Sequence, residues 1–196
     1  MIQSKQDLKH YLLEDRKAQH KVLFPSLKQR IVEWLFPDYN YEFTKCLRYL
    51  EYFTNCNDIF MGGGVKRIYF IKKLSRLRAI TGIELNPNCA GPGIHISHGK
   101  IVVGSIAKLG KNCKILSDVT IGGQGRYDRC GAPQIGDRVF IGSGAKIIGN
   151  ITIADDVVIG ANSVVIHSIM EAGITVAGNP AQKVSDTGSY HYLNKE

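Results

Sequence analysis

From Ile135 to Ile159 the chain reads Ile-Gly-Asp-Arg-Val-Phe-Ile-Gly-Ser-Gly-Ala-Lys-Ile-Ile-Gly-Asn-Ile-Thr-Ile-Ala-Asp-Asp-Val-Val-Ile. An aliphatic residue returns every six positions, at Ile135, Ile141, Ile147, Ile153 and Ile159, and the series continues to Val165. It extends backward, across a break, to Ile121, Ile115, Leu109 and Val103. Four residues after each aliphatic stands a second small or apolar side chain: Ala107, Cys113, Val119, Val139, Ala145, Ile151, Val157 and Ser163. A period of six fits neither a helix nor an antiparallel hairpin sheet, which would alternate every two residues. Six residues cannot bury their own apolar side chain, so successive turns of chain must stack and share one core. The pattern predicts a parallel β-helix of hexapeptide repeats. Glycine or alanine often follows the inward aliphatic, as at Gly104, Gly110, Gly136 and Gly142, where we expect the chain to turn a corner.

The 196 residues, 44% hydrophobic, suit one or two modest domains. No apolar run nears the length of roughly 20 residues that spans a bilayer. Met1-Ile2-Gln3-Ser4-Lys5 lacks a signal-type apolar segment, so the expected location is the cytoplasm. Cys46, Cys56, Cys89, Cys113 and Cys130 are scattered and odd in number, which reads as reduced thiols. The net charge of +8 is concentrated at the front: residues 1–80 hold 15 Lys and Arg against 8 Asp and Glu. That part reads as helical, with Ser4 and Asp7 opening one helix and further helices over Leu27–Phe36, Tyr41–Tyr52 and Val65–Ile80. Thr81-Gly82 marks the crossing into the coils. The last helix carries Lys66, Arg67, Lys72, Lys73, Arg76 and Arg78, either its solvated face or a contact with an anionic membrane surface at the inner membrane face. No nucleic-acid motif is present. The organisation is a small basic α-helical region (1–82), a β-helix (83–184) and a C-terminal tail (185–196).

Just before the regular coils lies Ile94-His95-Ile96-Ser97-His98-Gly99-Lys100. Acyl transfer to a hydroxyl needs a base near neutrality and a donor for the developing oxyanion, and His98, followed by Gly99, has the right chemistry. His95 and His98 do not make a metal pair, since three-residue spacing on a strand sends them to opposite faces and no third ligand is evident.

Residues 83–184 resemble the serine acetyltransferase branch of the hexapeptide-repeat acyltransferases through His-Gly (98–99), Ile-Val-Val-Gly (101–104), Val-Thr-Ile-Gly-Gly (119–123), Ile-Gly-Ser-Gly-Ala-Lys-Ile-Ile-Gly-Asn-Ile (141–151) and Ala-Gly-Asn-Pro-Ala (177–181). The resemblance implies a mainly β fold, a left-handed parallel β-helix assembled as a homotrimer, with acetyl-CoA as donor in the groove between neighbours. It implies His98 as catalytic base and Glu84 as the carboxylate that orients it. Gly123, Ser143 and Ala161 fall at donor-contact positions, and Lys183 meets a CoA phosphate. Where the family has an aspartate before the histidine, this chain has Ser97.

The break from Gly122 to Pro133 departs further. The family's loop ends in Asp-Arg-His-Pro, whereas Cys130, Gly131, Ala132 and Pro133 stand there in this chain. Arg126 and Arg129 remain as acceptor-binding candidates. A sugar hydroxyl needs the same base without an arginine for a free carboxylate, and the helical region, shorter than the family's usual one, resembles that of capsule and O-antigen O-acetyltransferases, so the expected acceptor is a saccharide of a surface polysaccharide or its precursor. Serine is the alternative acceptor. A noncatalytic trimeric scaffold and a membrane-surface protein stand as further alternatives.

Overall fold

The computed structural model describes residues 1–56, 63–123, 125 and 131–193. Among them four helices lead: α1 (Lys5–Ala18), α2 (Leu27–Leu35), α3 (Tyr39–Asn55) and α4 (Gly63–Thr81). Each boundary has a local cause. Ser4 caps α1 by accepting from the Asp7 N–H at 3.0 Å, and Ser26 with Gln29 forms a reciprocal capping box on α2. Asp38 caps α3 by accepting from the Asn40 and Tyr41 N–H groups. Helix α4 ends where Gly82 takes the left-handed conformation, with φ at 67°. The Gly82 N–H there donates to the Arg78 carbonyl.

The strands follow as β1 (Ile83–Glu84), β2 (His95–Ile96), β3 (Ile101–Val103), β4 (Lys108–Leu109), β5 (Lys114–Ile115), β6 (Thr120–Gly122) and β7 (Gln134–Ile135). They continue as β8 (Phe140–Ile141), β9 (Lys146–Ile148), β10 (Thr152–Ile153), β11 (Val158–Ile159), β12 (Val164–Val165), β13 (Thr175–Gly178) and β14 (Ala181–Ser185), before a short α5 (Tyr190–Leu193). They form three sheets, ordered β1-β3-β6-β9-β12, β10-β7-β4 and β14-β13-β11-β8-β5-β2. As far as β13, consecutive strands along the chain fall in different sheets, so the coils of a left-handed β-helix-like prism build its three faces in turn. Val102 pairs with Thr120 and Lys146 with Val164, in each case one coil of three hexapeptides further along. The step from Thr120 to Lys146 is longer because the break in the repeat between Ile121 and Ile135 falls within it. All pairings are parallel except β13 with β14, a hairpin that closes the last coil.

Every repeat position read from the sequence is inward. The aliphatics from Val103 to Val165 and the second series from Ala107 to Ser163 are all buried. The glycines act differently from the expectation. The left-handed corner conformation falls mainly on Asn88, Asn112, Asp118, Asp156 and Asn162, with Lys100 and Arg138, at φ from 54° at Asn112 to 64° at Asn88. Short polar side chains tolerate that conformation better than most. Gly110 and Gly142 serve close stacking instead: a Cβ on Gly110 would lie 2.5 Å from the Gly136 carbonyl oxygen, and one on Gly142 2.6 Å from the Ala161 nitrogen.

The helical region is larger than expected, and the fold is not mainly β. Its helices run to 14, 9, 17 and 19 residues, while corners take much of every coil and leave strands of two to five residues. Nor is the region a loose preface. Phe43, Cys46, Leu47 and Leu50 of α3 and Leu74 and Leu77 of α4 join one continuous core with the coils. Beside that core, fully buried Arg48 binds Asp15 and Glu51 and donates to the carbonyls of Ala90 and Gly91 at 2.9 and 2.6 Å. The Asp15 carboxylate also accepts from the N–H groups of Gly93 and Ile94. These bonds fasten α1 and α3 to the segment that leads into β2.

Candidate active site

His98 leaves β2 of the six-stranded sheet and enters β3 of the five-stranded sheet, so it occupies one edge of the prism. Ser143 lies between β8 and β9 and Ala161 between β11 and β12, on the same edge two and three coils along. The repeat thus aligns three residues distant in sequence. Gly144 N–H donates to the Ser117 carbonyl and Asn162 N–H to the Ser143 carbonyl, which locks the column. The amides of Ser143 and Ala161 take no acceptor among the described residues, so small side chains and unpaired N–H groups share this edge. An extended amide-bearing donor can lie against such a surface.

Gly123 follows β6 and precedes β7, which puts it on the next edge, across the five-stranded sheet from His98. A Cβ there would meet the Gly131 carbonyl oxygen at 2.8 Å, so Gly123 and Gly131 stand close together. Arg126, Arg129 and Cys130 lie outside the described residues. Lys183 is on β14, at the opposite end of the six-stranded sheet from β2. Five strand spacings separate the two, about 24 Å. The Lys183 ammonium contacts Glu171 at 2.5 Å and Asp186 at 2.7 Å. Glu84 is exposed on β1, opposite Val102, and no hydrogen bond or ion pair joins it to His98.

The His98 imidazole is exposed and bonds to no other described residue. His95, three residues earlier, is different: half-buried, edge-on to His20 with ring centroids 5.8 Å apart, and with its Nε2 3.3 Å from Ser97 Oγ. Burial, with Lys114 and His20 nearby, pushes its pKa down to about 4. His95 is neutral at pH 7. A 510 Å³ pocket opens beside it, lined by residues including His20, Lys114, Arg138 and Tyr190, on the outer face of the six-stranded sheet rather than at the His98 edge. Sequence reasoning missed His20, Asn40 and the Asp15–Arg48–Glu51 cluster, since each takes its meaning from burial or from contact with a segment far away in sequence.

Burial raises the Cys46 thiol to about 11 and Cys113 to about 12, so neither is a nucleophile near neutrality. Among the described residues no cluster of three or more His, Cys, Asp or Glu is placed to hold a metal. None of their helices is long and apolar enough to cross a membrane. On α4, Lys73 pairs with Glu42, Arg78 donates to the Leu85 carbonyl and the Asn86 side chain, and Lys66 lies over the Phe53 ring, so at least three of the six cations serve the fold.

Residues 132–167 match the family described as bacterial transferase hexapeptide (six repeats). A serine acetyltransferase of Helicobacter pylori is 42% identical over 124 residues, 61% of this chain and 72% of that protein. Among solved structures, the Brucella abortus serine acetyltransferase in complex with coenzyme A superposes with TM-score 0.72 at 28% identity, covering 94% of this chain and 70% of that one. The soybean serine acetyltransferase complexed with serine gives 0.70 at 29%, covering 92% and 70%. These relatives are serine acetyltransferases, which overturns the expected saccharide acceptor. That expectation leaned on an altered loop and a short helical region, and the structural similarity spans most of the chain.

Proposed function

Because the chain belongs to the serine acetyltransferase branch of the hexapeptide-repeat acyltransferases, and is an acetyl-CoA-dependent acetyltransferase, we propose that its acceptor is serine and its base His98. His98 takes the proton from the serine hydroxyl as that oxygen attacks the thioester carbonyl, and returns it to the departing thiolate. A backbone N–H at the corner beside His98 stabilises the oxyanion, the role for which preorganised amides are suited, whereas the amides of Ser143 and Ala161, two and three coils of about 4.8 Å away, face the rest of the donor. Ser143 and Ala161 receive the donor along the same edge as His98. Gly123, one edge over, contributes from a neighbouring copy in a homotrimer packed edge to edge. Lys183 reaches a CoA phosphate only by giving up Glu171 and Asp186.

The observation that carries this reading is the alignment of His98, Ser143 and Ala161 on one edge, in a chain that covers 72% of a serine acetyltransferase at 42% identity. CoA release from acetyl-CoA, followed with serine and with a panel of sugars, tests it. Serine-dependent release that His98→Ala lowers by about 10²–10⁴-fold is the expected result. Release with sugars alone, or full serine-dependent activity in His98→Ala, would contradict the acceptor or the base respectively.

A further inference from the structure

Among the described residues no hydrogen bond joins the Glu84 carboxylate to His98, whereas a side chain of α3 reaches the peptide that carries the imidazole. We propose that Asn40, in the first turn of α3, is a positioning residue for His98; the proposal rests on the reading of His98 as base. Asn40 Nδ2 donates to the carbonyl of Ser97 at 3.3 Å, across 57 residues of sequence. That carbonyl belongs to the peptide joining Ser97 to His98, so the bond acts one link from the imidazole-bearing Cα.

The other side of His98 is held by the end of α4. Lys100 N–H donates to the Thr81 carbonyl at 3.0 Å and Ile101 N–H to the Gly82 carbonyl at 3.1 Å. Gly99 lies so close beneath Thr81 that a Cβ would approach its carbonyl oxygen to 1.9 Å. Ser97 N–H continues the coil ladder to the Ile115 carbonyl, but the amide of His98 joins no backbone bond among the described residues. The His98 segment is thus a short bridge fixed at Gly99–Ile101 by backbone and at the Ser97 carbonyl by one side chain.

Asn40 is itself braced. Its N–H donates to Asp38 Oδ1, its carbonyl accepts from Thr44 Oγ1, and Asp38 is paired with Lys21 at 2.7 Å. A rigid helix end presenting an amide donor to a coil carbonyl transmits the docking of α3 to the imidazole. Displacement of a reacting group by about 1 Å can cost about 10²-fold in rate, so one such anchor is enough to matter.

Asn40→Asp keeps the shape and replaces the donor with an oxygen that repels the Ser97 carbonyl. We expect kcat to fall about tenfold while KM for acetyl-CoA stays within about twofold, because Ser143 and Ala161 sit on other coils. Asn40→Gln, which retains the donor, recovers most of that loss. On a His98→Ala background, Asn40→Asp adds no further loss, since the residue acts only through the imidazole. An unchanged kcat in Asn40→Asp overturns the proposal. So does the same tenfold loss persisting without His98, or a lowered thermal midpoint with KM rising as kcat falls. Full activity in His98→Ala alone is a separate outcome that removes the base assignment on which the proposal stands.

Discussion

Arg48 meets Asp15 through two hydrogen bonds, Nε to Oδ2 at 2.7 Å and Nη2 to Oδ1 at 3.3 Å, with the two side chains 0% and 2% exposed. Both charges are out of water, so the pair is tolerable only because Glu51, two coil carbonyls and two coil amides complete the set. Without Asp15 the guanidinium is still balanced by Glu51, but its buried Nε and Nη2 donors and the amides of Gly93 and Ile94 all lose their acceptor. Asp15→Ala should therefore cost about 3–5 kcal/mol, read as a fall in thermal midpoint of roughly 6–20 °C. A change under about 2 °C would mean that water reaches the guanidinium.

Stacking of the coils makes a second demand. Gly142 N–H donates to the Ile159 carbonyl at 2.8 Å, and an added methyl would press on the backbone of Gly160 and Ala161. Backbone cannot rotate aside as a side chain does. Gly142→Ala is expected to destabilise by about 1–3 kcal/mol. Gly122→Ala, where a Cβ meets nothing within 4 Å, should be near neutral. Equal denaturation midpoints for the two variants would refute the close-stacking role.

His95 sets a pH dependence. Burial, with Lys114 and His20, lowers its pKa from 6.5 to about 4, so between those values the unfolded chain binds a proton that the folded chain refuses. Stability therefore declines as pH falls from 6.5 toward 4, with no further contribution from this group below 4. His95→Gln removes that titration. Its thermal midpoint should fall less than the parent's over the same interval, and parallel curves would show that carboxylates alone govern the acid limb.

The coils were legible because a buried position inside a prism admits few side chains, and the chain repeats that restriction every six residues from Val103 to Val165. Helix caps were partly legible for a similar reason, as Ser4 and Asp7 act within one turn. Arg48 was not. In sequence it is one more cation of a basic region, and only the meeting of α1, α3 and the first coil reveals its burial. His98 could be placed from its motif, but the expected Glu84 contact could not be checked without knowing how one coil sits on the next. The acceptor is not legible in the altered loop or in the length of the helical region, because both are local departures from a similarity that runs along the whole β-helix.

Ala161 tests the donor edge most directly. It is exposed, shares its edge with His98 and Ser143, and offers an amide with no protein acceptor among the described residues. Ala161→Leu adds bulk outside the core, so the fold should survive while a donor lying along the edge is pushed away. KM for acetyl-CoA should rise about tenfold, equivalent to about 1.4 kcal/mol of lost binding, with KM for serine little changed. The thermal midpoint should stay within about 2 °C of the parent, because exposed substitutions away from special backbone rarely exceed about 0.5 kcal/mol. If KM for acetyl-CoA is unchanged in a folded variant, the donor runs along another edge, and the Gly123 edge becomes the one to block next.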